Sequence, residues 1–233
     1  MCAFHHSPQI VTNGLVLYLD PANTKSYPGT GTVWNDLSGN AFNAISQASA
    51  GNTESAWNSA GYFNLTEGLD VFFLVSGLNN YNFVNGISID YTIKNTGGDY
   101  RAIIENSAYG SSDYKVAVRF GREDYYGGAN NGTSTSFKIN GNAVSYPTEL
   151  NVWKHIHCIY DMVNISVYID GVFFDSTAYT TPIIQAPYDF RFFRHFNTGE
   201  DLVNPISNIK IYNRALTQSE ITQNYNALKG RFQ

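Results

Sequence analysis

The chain has 233 residues, of which 43% are hydrophobic, 15% aromatic and only 14% charged, and its formal net charge is −5. This length suits a single β-sandwich, and the aromatic content gives enough buried apolar area to offset the entropy cost of ordering the chain. Lys and Arg form no cluster and no apolar run approaches the roughly 20 residues that cross a bilayer, so neither a nucleic-acid partner nor membrane insertion is expected.

The N-terminal residues 1–13 are predicted to be a tail, and residues 14–233 to form one domain. The first residues have neither a basic start nor an apolar core, so no signal peptide is expected. Cys2 and Cys158 are too few for a disulfide framework, and both are expected to be free thiols in a reducing cytosol.

Short β-rich segments recur about every dozen residues, separated by Gly, Asn, Asp and Ser. The most regular segment runs from Ile87 to Lys94, where apolar and polar residues alternate, and it predicts a strand with one buried face and one wet face. Asp170-Gly171 predicts a tight turn between two further strands. The predicted strands are residues 14–20, 87–94, 101–105, 114–120, 135–139, 152–160, 165–169, 172–174, 189–194 and 205–212.

The C-terminal residues change to a helical pattern. Thr217 and Glu220 have the spacing of a capping box, with Leu216 and Ile221 at the flanking apolar positions. Gly230 is the expected stop. The predicted fold class is therefore all-β, an antiparallel sandwich with one short C-terminal helix.

Three segments, in order, resemble the laminin-G-like, concanavalin A-like lectin/glucanase domains. They are GLVLYLD at 14–20 with WNDLSGN at 34–40, WKHIHCIYD at 153–161 with VYIDG at 167–171, and ISNIKIYNRALT at 206–217 with Glu220 and Ile221. The resemblance implies a jelly-roll β-sandwich. The ending NYNALKGRF at 224–232 resembles such domains in structural proteins of tailed bacteriophages, especially those of cyanobacteria, and implies a virion location after synthesis in the host cytoplasm.

Glycoside hydrolases that share this fold carry their carboxylates at alternate positions of one strand, because retaining chemistry needs two carboxyls about 5 Å apart on one face. No two acidic residues in this chain are two positions apart, and the adjacent pairs Glu123-Asp124 and Glu200-Asp201 would point to opposite faces of a strand. We therefore expect no enzymatic activity and no catalytic residues.

The residue types suggest two candidate metal sites. His155 and His157 share one strand face and are residue types that ligate metals, although a buried cross-strand role is favoured. Calcium is the only cofactor implied by the resemblance, through Asp20, Asn23, Asp36 and the Gly39 carbonyl. Asn208, where relatives often have an acid, weakens that prediction, and the favoured alternative is that Asp36 and Ser38 stabilise turns.

The segment from Arg122 to Thr133 is the predicted glycan-binding or partner-binding surface. Aromatic faces stack on sugar C–H groups and amides bind hydroxyls, so the predicted contacts are Tyr125, Tyr126, Asn130 and Asn131. The predicted function is a non-catalytic virion accessory, such as a decoration, fibre or adhesin module, that binds a host surface glycan or other capsid or tail proteins as a homo-oligomer. The alternatives are a free carbohydrate-binding lectin and, less favoured, a glycoside hydrolase.

Overall fold

The protein is a β-sandwich in a computed structural model that describes residues 9–66, 68–97, 101–106, 115–120, 134–194 and 202–231. Within these residues, two antiparallel sheets of eight strands each pack face to face, and their inward side chains form one apolar core. The predicted fold class is confirmed. Cys158 lies in this core as a free thiol.

The first sheet is, in spatial order, β14 (Val172–Ala178), β13 (Asn164–Ile169), β12 (Trp153–Tyr160), β7 (Ile87–Lys94), β16 (Pro205–Tyr212), β5 (Tyr62–Asn64) and β4 (Trp57–Asn58), with β1 (Leu15–Leu19) also paired to β16. The second sheet is β11 (Asn142–Pro147), β10 (Ser134–Ile139), β9 (Val116–Phe120), β8 (Arg101–Asn106), β15 (Phe190–Phe192), β6 (Phe73–Val75), β3 (Ala44–Ser46) and β2 (Val33–Trp34). The helices are α1 (Ala50–Ala56) and α2 (Gln218–Leu228), and 3-10 turns span Leu78–Asn80 and Lys229–Arg231.

Most of the elements that the sequence did not predict are short. The strands β2 to β6 have two or three residues each, too few to show an alternating pattern, and α1 has seven. Helix α1 is capped by Ser49, whose side chain accepts the backbone N–H of Asn52. Within the described residues, no helix has the length and apolar character that a bilayer span requires.

The outer face of the first sheet is covered where α2 crosses it. The prediction of a wet face on β7 is wrong, because Ser88 and Asp90 are fully buried there. Ile221 from α2 and Val11 from the predicted tail pack with Tyr212 in a small apolar cluster on this face. Because water is excluded under the helix, the polar side chains of this strand face must find hydrogen-bond partners within the protein.

The predicted capping box at the start of α2 is confirmed. The Thr217 side chain accepts the backbone N–H of Glu220, and the Glu220 carboxylate accepts the N–H of Thr217 at 2.9 Å. The α-helix ends at Leu228, two residues before the predicted stop at Gly230, and a 3-10 turn then spans Lys229–Arg231. That turn carries Arg231 to the buried carboxylate of Asp20, at 2.8 Å.

Candidate functional site beside the C-terminal helix

A buried polar cluster lies between the first sheet and α2. In the pairing of β12 with β7, His157 is opposite Asp90 and His155 is opposite Thr92. Alternation along both strands therefore places these side chains on the face covered by α2. His155 Nε2 lies 2.6 Å from Asp90 Oδ1, and His157 Nε2 lies 3.2 Å from Asp90 Oδ2 without forming a hydrogen bond.

The Asp90 carboxylate also receives two donors from other elements. Lys210 Nζ on β16 donates to Oδ1 at 3.0 Å, and Asn224 Nδ2 on α2 donates to Oδ2 at 2.9 Å. Lys210 Nζ also donates to Asn208 Oδ1 at 2.6 Å. All six side chains of the cluster are nearly or fully buried. The cluster therefore joins three strands and the helix through one carboxylate.

The charges in this cluster are fixed by burial and by Asp90. Burial opposes ionisation of Asp90, but the neighbouring His155 and Lys210 outweigh it and hold the pKa of Asp90 well below its ordinary value. Burial lowers the pKa of His155 to about 4, because contact with Asp90 offsets only part of the desolvation cost. Burial also lowers the pKa of Lys210. Near neutral pH, Asp90 is ionised and His155 is neutral.

Asp90, His155 and His157 are residue types that ligate transition metals, and their nearest ligand atoms lie within 4.8 Å of one another. The ammonium group of Lys210, however, already supplies a cation to Asp90 Oδ1. A metal ion would have to displace or deprotonate Lys210, since two adjacent buried cations repel strongly. The geometry supports the cross-strand role that the sequence favoured for His155.

A partly open cavity of about 160 Å³ lies directly beside this cluster. The tight turn predicted at Asp170-Gly171 shapes one side: both residues have positive φ, 53° and 81°, and join β13 to β14. Asp170 Oδ1 accepts the backbone N–H of His155 at 3.0 Å, and Oδ2 accepts from Lys154 Nζ at 3.1 Å. These bonds lock the turn against β12.

The cavity walls combine aromatic, cationic and hydroxyl side chains around His155. Tyr225 of α2 lies with its ring centroid 6.0 Å from that of His155, and the ammonium of Lys229 lies 5.6 Å from the Tyr225 ring centre. The ring of Trp153 packs edge-on against Tyr62 at 5.3 Å. The residues that line the cavity are Thr92, Val152, Trp153, Lys154, His155, Asp170, Tyr225, Leu228 and Lys229.

The residues predicted to bind calcium are engaged by protein donors. Asp20 accepts from Arg231 and from the Tyr18 hydroxyl, at 2.8 Å each. Asp36 accepts the backbone N–H of Ser38 at 2.8 Å and its hydroxyl at 2.7 Å, which are the turn contacts of the alternative interpretation.

The other two predicted ligands lie in turns. Asn23 Oδ1 accepts the backbone N–H of Lys25 at 3.0 Å, and Gly39 has a φ of 93°. Asn208, the position that departs from the family pattern, bonds Lys210 in the cluster under α2. Calcium binding stays a prediction, and a calcium ion at Asp20 would have to replace Arg231.

The predicted glycan contacts Tyr125, Tyr126, Asn130 and Asn131 lie outside the described residues, so they remain predictions. The cavity residues Trp153, Tyr225 and Lys229 were not identified as a site from the sequence. In the sequence, Tyr225 belongs only to the C-terminal helical segment and Trp153 only to the family pattern. The spacing of Tyr225 and Lys229, one helical turn apart, indicates that they share a helix face. It does not indicate that this face meets β12, which is more than 60 residues away in the sequence.

A sequence profile of the concanavalin A-like lectin/glucanases superfamily matches residues 85–222, more than half of the chain. The chain belongs to this superfamily. The match includes β7, β12 and β16, which carry Asp90, His155 and Lys210, and it ends within α2. No curated protein sequence matches the chain.

Solved structures with the same fold include binding domains and one enzyme. The binding domain of botulinum neurotoxin DC, in complex with rat synaptotagmin II, superposes with a TM-score of 0.62 at 14% identity over 94% of this chain. Botulinum neurotoxin type C, whose cell entry depends on two ganglioside molecules, superposes with a TM-score of 0.59 at 16% identity over 93% of this chain. A Trypanosoma rangeli sialidase superposes with a TM-score of 0.61 at 15% identity over 94% of this chain. The chain spans 52% of each of these two neurotoxin chains and 33% of the sialidase chain.

Proposed function

We propose that the protein is a non-catalytic glycan-binding module that holds a sugar residue in the cavity between β12 and α2. One observation carries the proposal: aromatic rings, ammonium groups and a buried imidazole meet in a cavity of about 160 Å³. Trp153 and Tyr225 supply ring surface for sugar C–H groups, while Lys154 and Lys229 supply donors for hydroxyl oxygens. The neurotoxin neighbours, one of which depends on gangliosides, support this assignment by analogy of fold.

Hydrolysis is the less favoured function. Among the residues that line the cavity, Asp170 is the single carboxylate, and it is already bonded to Lys154 and to the backbone of β12. Glycoside hydrolysis generally needs a pair of carboxyl groups flanking the scissile bond. The sialidase among the structural neighbours keeps the hydrolase alternative open to test. Release of reducing ends from laminarin or agar that stops when one carboxylate is replaced would establish it.

A glycan array tests the proposal. We expect the tagged protein to bind a subset of glycans, and Tyr225→Ala to weaken that binding about tenfold, because an aromatic contact contributes roughly 1.5 kcal/mol. The matched control is Tyr188→Ala, which removes an exposed tyrosine outside the cavity lining and leaves binding unchanged. Equal binding by the wild type and the Tyr225 variant would move the site elsewhere, with residues 122–133 the next candidate.

The virion role is part of the same proposal. Its support is the resemblance of residues 224–232 to the ends of phage structural domains, and the module would then serve as a decoration, fibre or adhesin component bound to capsid or tail proteins. A free lectin is the alternative. Mass spectrometry of purified virions separates the two, because a free lectin would be absent from them.

A further inference from the structure

We infer that His155 accepts a hydrogen bond from a sugar hydroxyl through Nδ1, which would make it a specificity-determining residue of the cavity. The inference rests on the proposed function and deepens it, since it states which chemical group the ligand must present. It is carried by the position of one proton and by one buried nitrogen that has no partner.

The proton of the neutral His155 ring is placed by Asp90. The carboxylate oxygen Oδ1 lies 2.6 Å from His155 Nε2, and an ionised carboxylate can only accept hydrogen bonds. Nε2 must therefore carry the hydrogen. Lys210 donates to the same oxygen at 3.0 Å and Asn224 donates to Oδ2 at 2.9 Å, and both bonds stabilise the ionised carboxylate. In this tautomer, Nδ1 carries a lone pair and acts as an acceptor.

That acceptor is buried and unpaired. His155 is 4% exposed, and no donor among the described residues reaches its Nδ1. Nδ1 and Nε2 lie on different edges of the imidazole ring, so the lone pair points away from Asp90. The His155 ring itself lines the cavity beside Tyr225. Buried acceptors are nearly always hydrogen-bonded, and an unpaired one calls for a partner that is not part of the chain.

The chemistry of Nδ1 selects the class of ligand group. A lone pair attracts a donor and repels a carboxylate or sulfate oxygen, so the group at this position is a hydrogen-bond donor, and hydroxyls are the most numerous donors of a sugar. His155 is bonded to Asp90, and Asp90 is held in turn by Lys210 of β16 and Asn224 of α2, so the acceptor is rigid. A rigid acceptor discriminates strongly, because an analogue without the donor leaves Nδ1 unpaired.

The first experiment uses the wild-type protein with ¹⁵N-labelled histidine rings. In nitrogen NMR spectra, we expect His155 to show a protonated Nε2 and an unprotonated Nδ1. Titration with methyl glycosides of galactose, glucose and mannose should shift Nδ1 of His155 for the glycoside that binds, while the His157 signals move less. The spectrum of His155→Gln assigns the signals.

The second experiment removes donors from the sugar. In the glycoside that binds, replacing each hydroxyl in turn by fluorine retains the electronegative atom and removes the donor. We expect one replacement to weaken binding by the wild type about five- to tenfold and to have no effect on binding by His155→Phe. The variant is compared only after its circular dichroism matches that of the wild type, and the NMR result does not depend on it.

Three outcomes overturn the inference. A protonated Nδ1 in the free protein would place the hydrogen on the wrong nitrogen. Binding of a glycoside without a shift at His155 would leave the proposed function intact and remove His155 from the site. Failure of every glycoside tested on the array and in solution to bind would remove the proposed function together with the role of His155.

Discussion

Asp90 is the centre of the buried cluster between the first sheet and α2, because its carboxylate accepts hydrogen bonds from His155, Lys210 and Asn224. Buried charges are tolerated when they are paired and hydrogen-bonded, and breaking such a pair is far more costly than breaking an exposed one. The sequence showed Asp90 and Lys210 only as polar positions on strands, since nothing local indicates that a helix at residues 218–228 will cover them.

Lys210→Met is expected to lower the free energy of unfolding by about 3–5 kcal/mol, because it leaves Asp90 buried without its cation. Lys154→Met is the matched control. Its ammonium pairs with the partly exposed Asp170 and with the exposed Glu149, so we expect a loss below about 1 kcal/mol. Urea denaturation measures both. Equal losses would show that Lys210 contributes no more than an exposed ion pair does.

The stability of the protein should fall as the pH is lowered from about 6.5 toward 4. The pKa of His155 is lowered to about 4 in the native state, while an unfolded histidine titrates near 6.5. Between these values the unfolded chain binds the extra proton, so the stability that His155 confers is present above pH 6.5 and is lost toward pH 4. The slope reaches about 1.4 kcal/mol per pH unit.

Denaturant unfolding at a series of pH values checks this, with His155→Gln as the comparison. For a folded variant, the slope of the unfolding free energy against pH should be smaller by up to about 1.4 kcal/mol per pH unit in this range, which corresponds to one proton. Parallel curves for the two proteins would mean that His155 is protonated in the native state as readily as in the unfolded chain.

The sequence predicted the strands and the helix whose residue pattern is local and several residues long. The eight-residue strands β7 and β16 and the cap of α2 match their predicted positions, since each combines a regular pattern with clear boundaries. The strands of two or three residues in the first third of the chain were missed, because they are held by pairing to distant partners. The cavity was missed for the same reason: α2, β12 and the turn at Asp170 come together only in the folded chain.

Thr217→Ala is expected to destabilise the protein by about 1 kcal/mol, the typical cost of a lost helix cap. The control is Thr222→Ala on the same helix, whose hydroxyl donates to the Gln218 carbonyl and satisfies no orphan N–H. We expect a much smaller change there. Thermal denaturation of both variants gives the comparison, and matching midpoints for the Thr217 variant and the wild type would show that the capping box adds nothing.

One long edge of the sandwich is open. Every residue of the edge strand β14 is exposed, including Val172, Phe173 and Phe174. Exposed apolar edge strands favour pairing with another chain unless they are protected. This edge supports the proposal that the protein acts as a homo-oligomer, in which repeated weak sugar sites gain avidity.

Light scattering tests the oligomer. We expect the isolated wild-type protein to have a mass that is a multiple of 25.9 kDa, and Phe173→Lys to shift it toward the monomer. Thr177→Lys is the control, because Thr177 is an exposed polar residue of the same strand with much less apolar area than Phe173. A wild-type monomer at all concentrations would contradict the oligomer proposal and favour a free lectin.

The most direct test of the account is a crystal structure of the protein with the best-bound array glycan. We expect electron density for one sugar ring in the cavity between Trp153 and Tyr225, with a hydroxyl within hydrogen-bond distance of His155 Nδ1. Density for the glycan at residues 122–133, with the cavity empty, would contradict the assignment of the binding site to the face under the C-terminal helix.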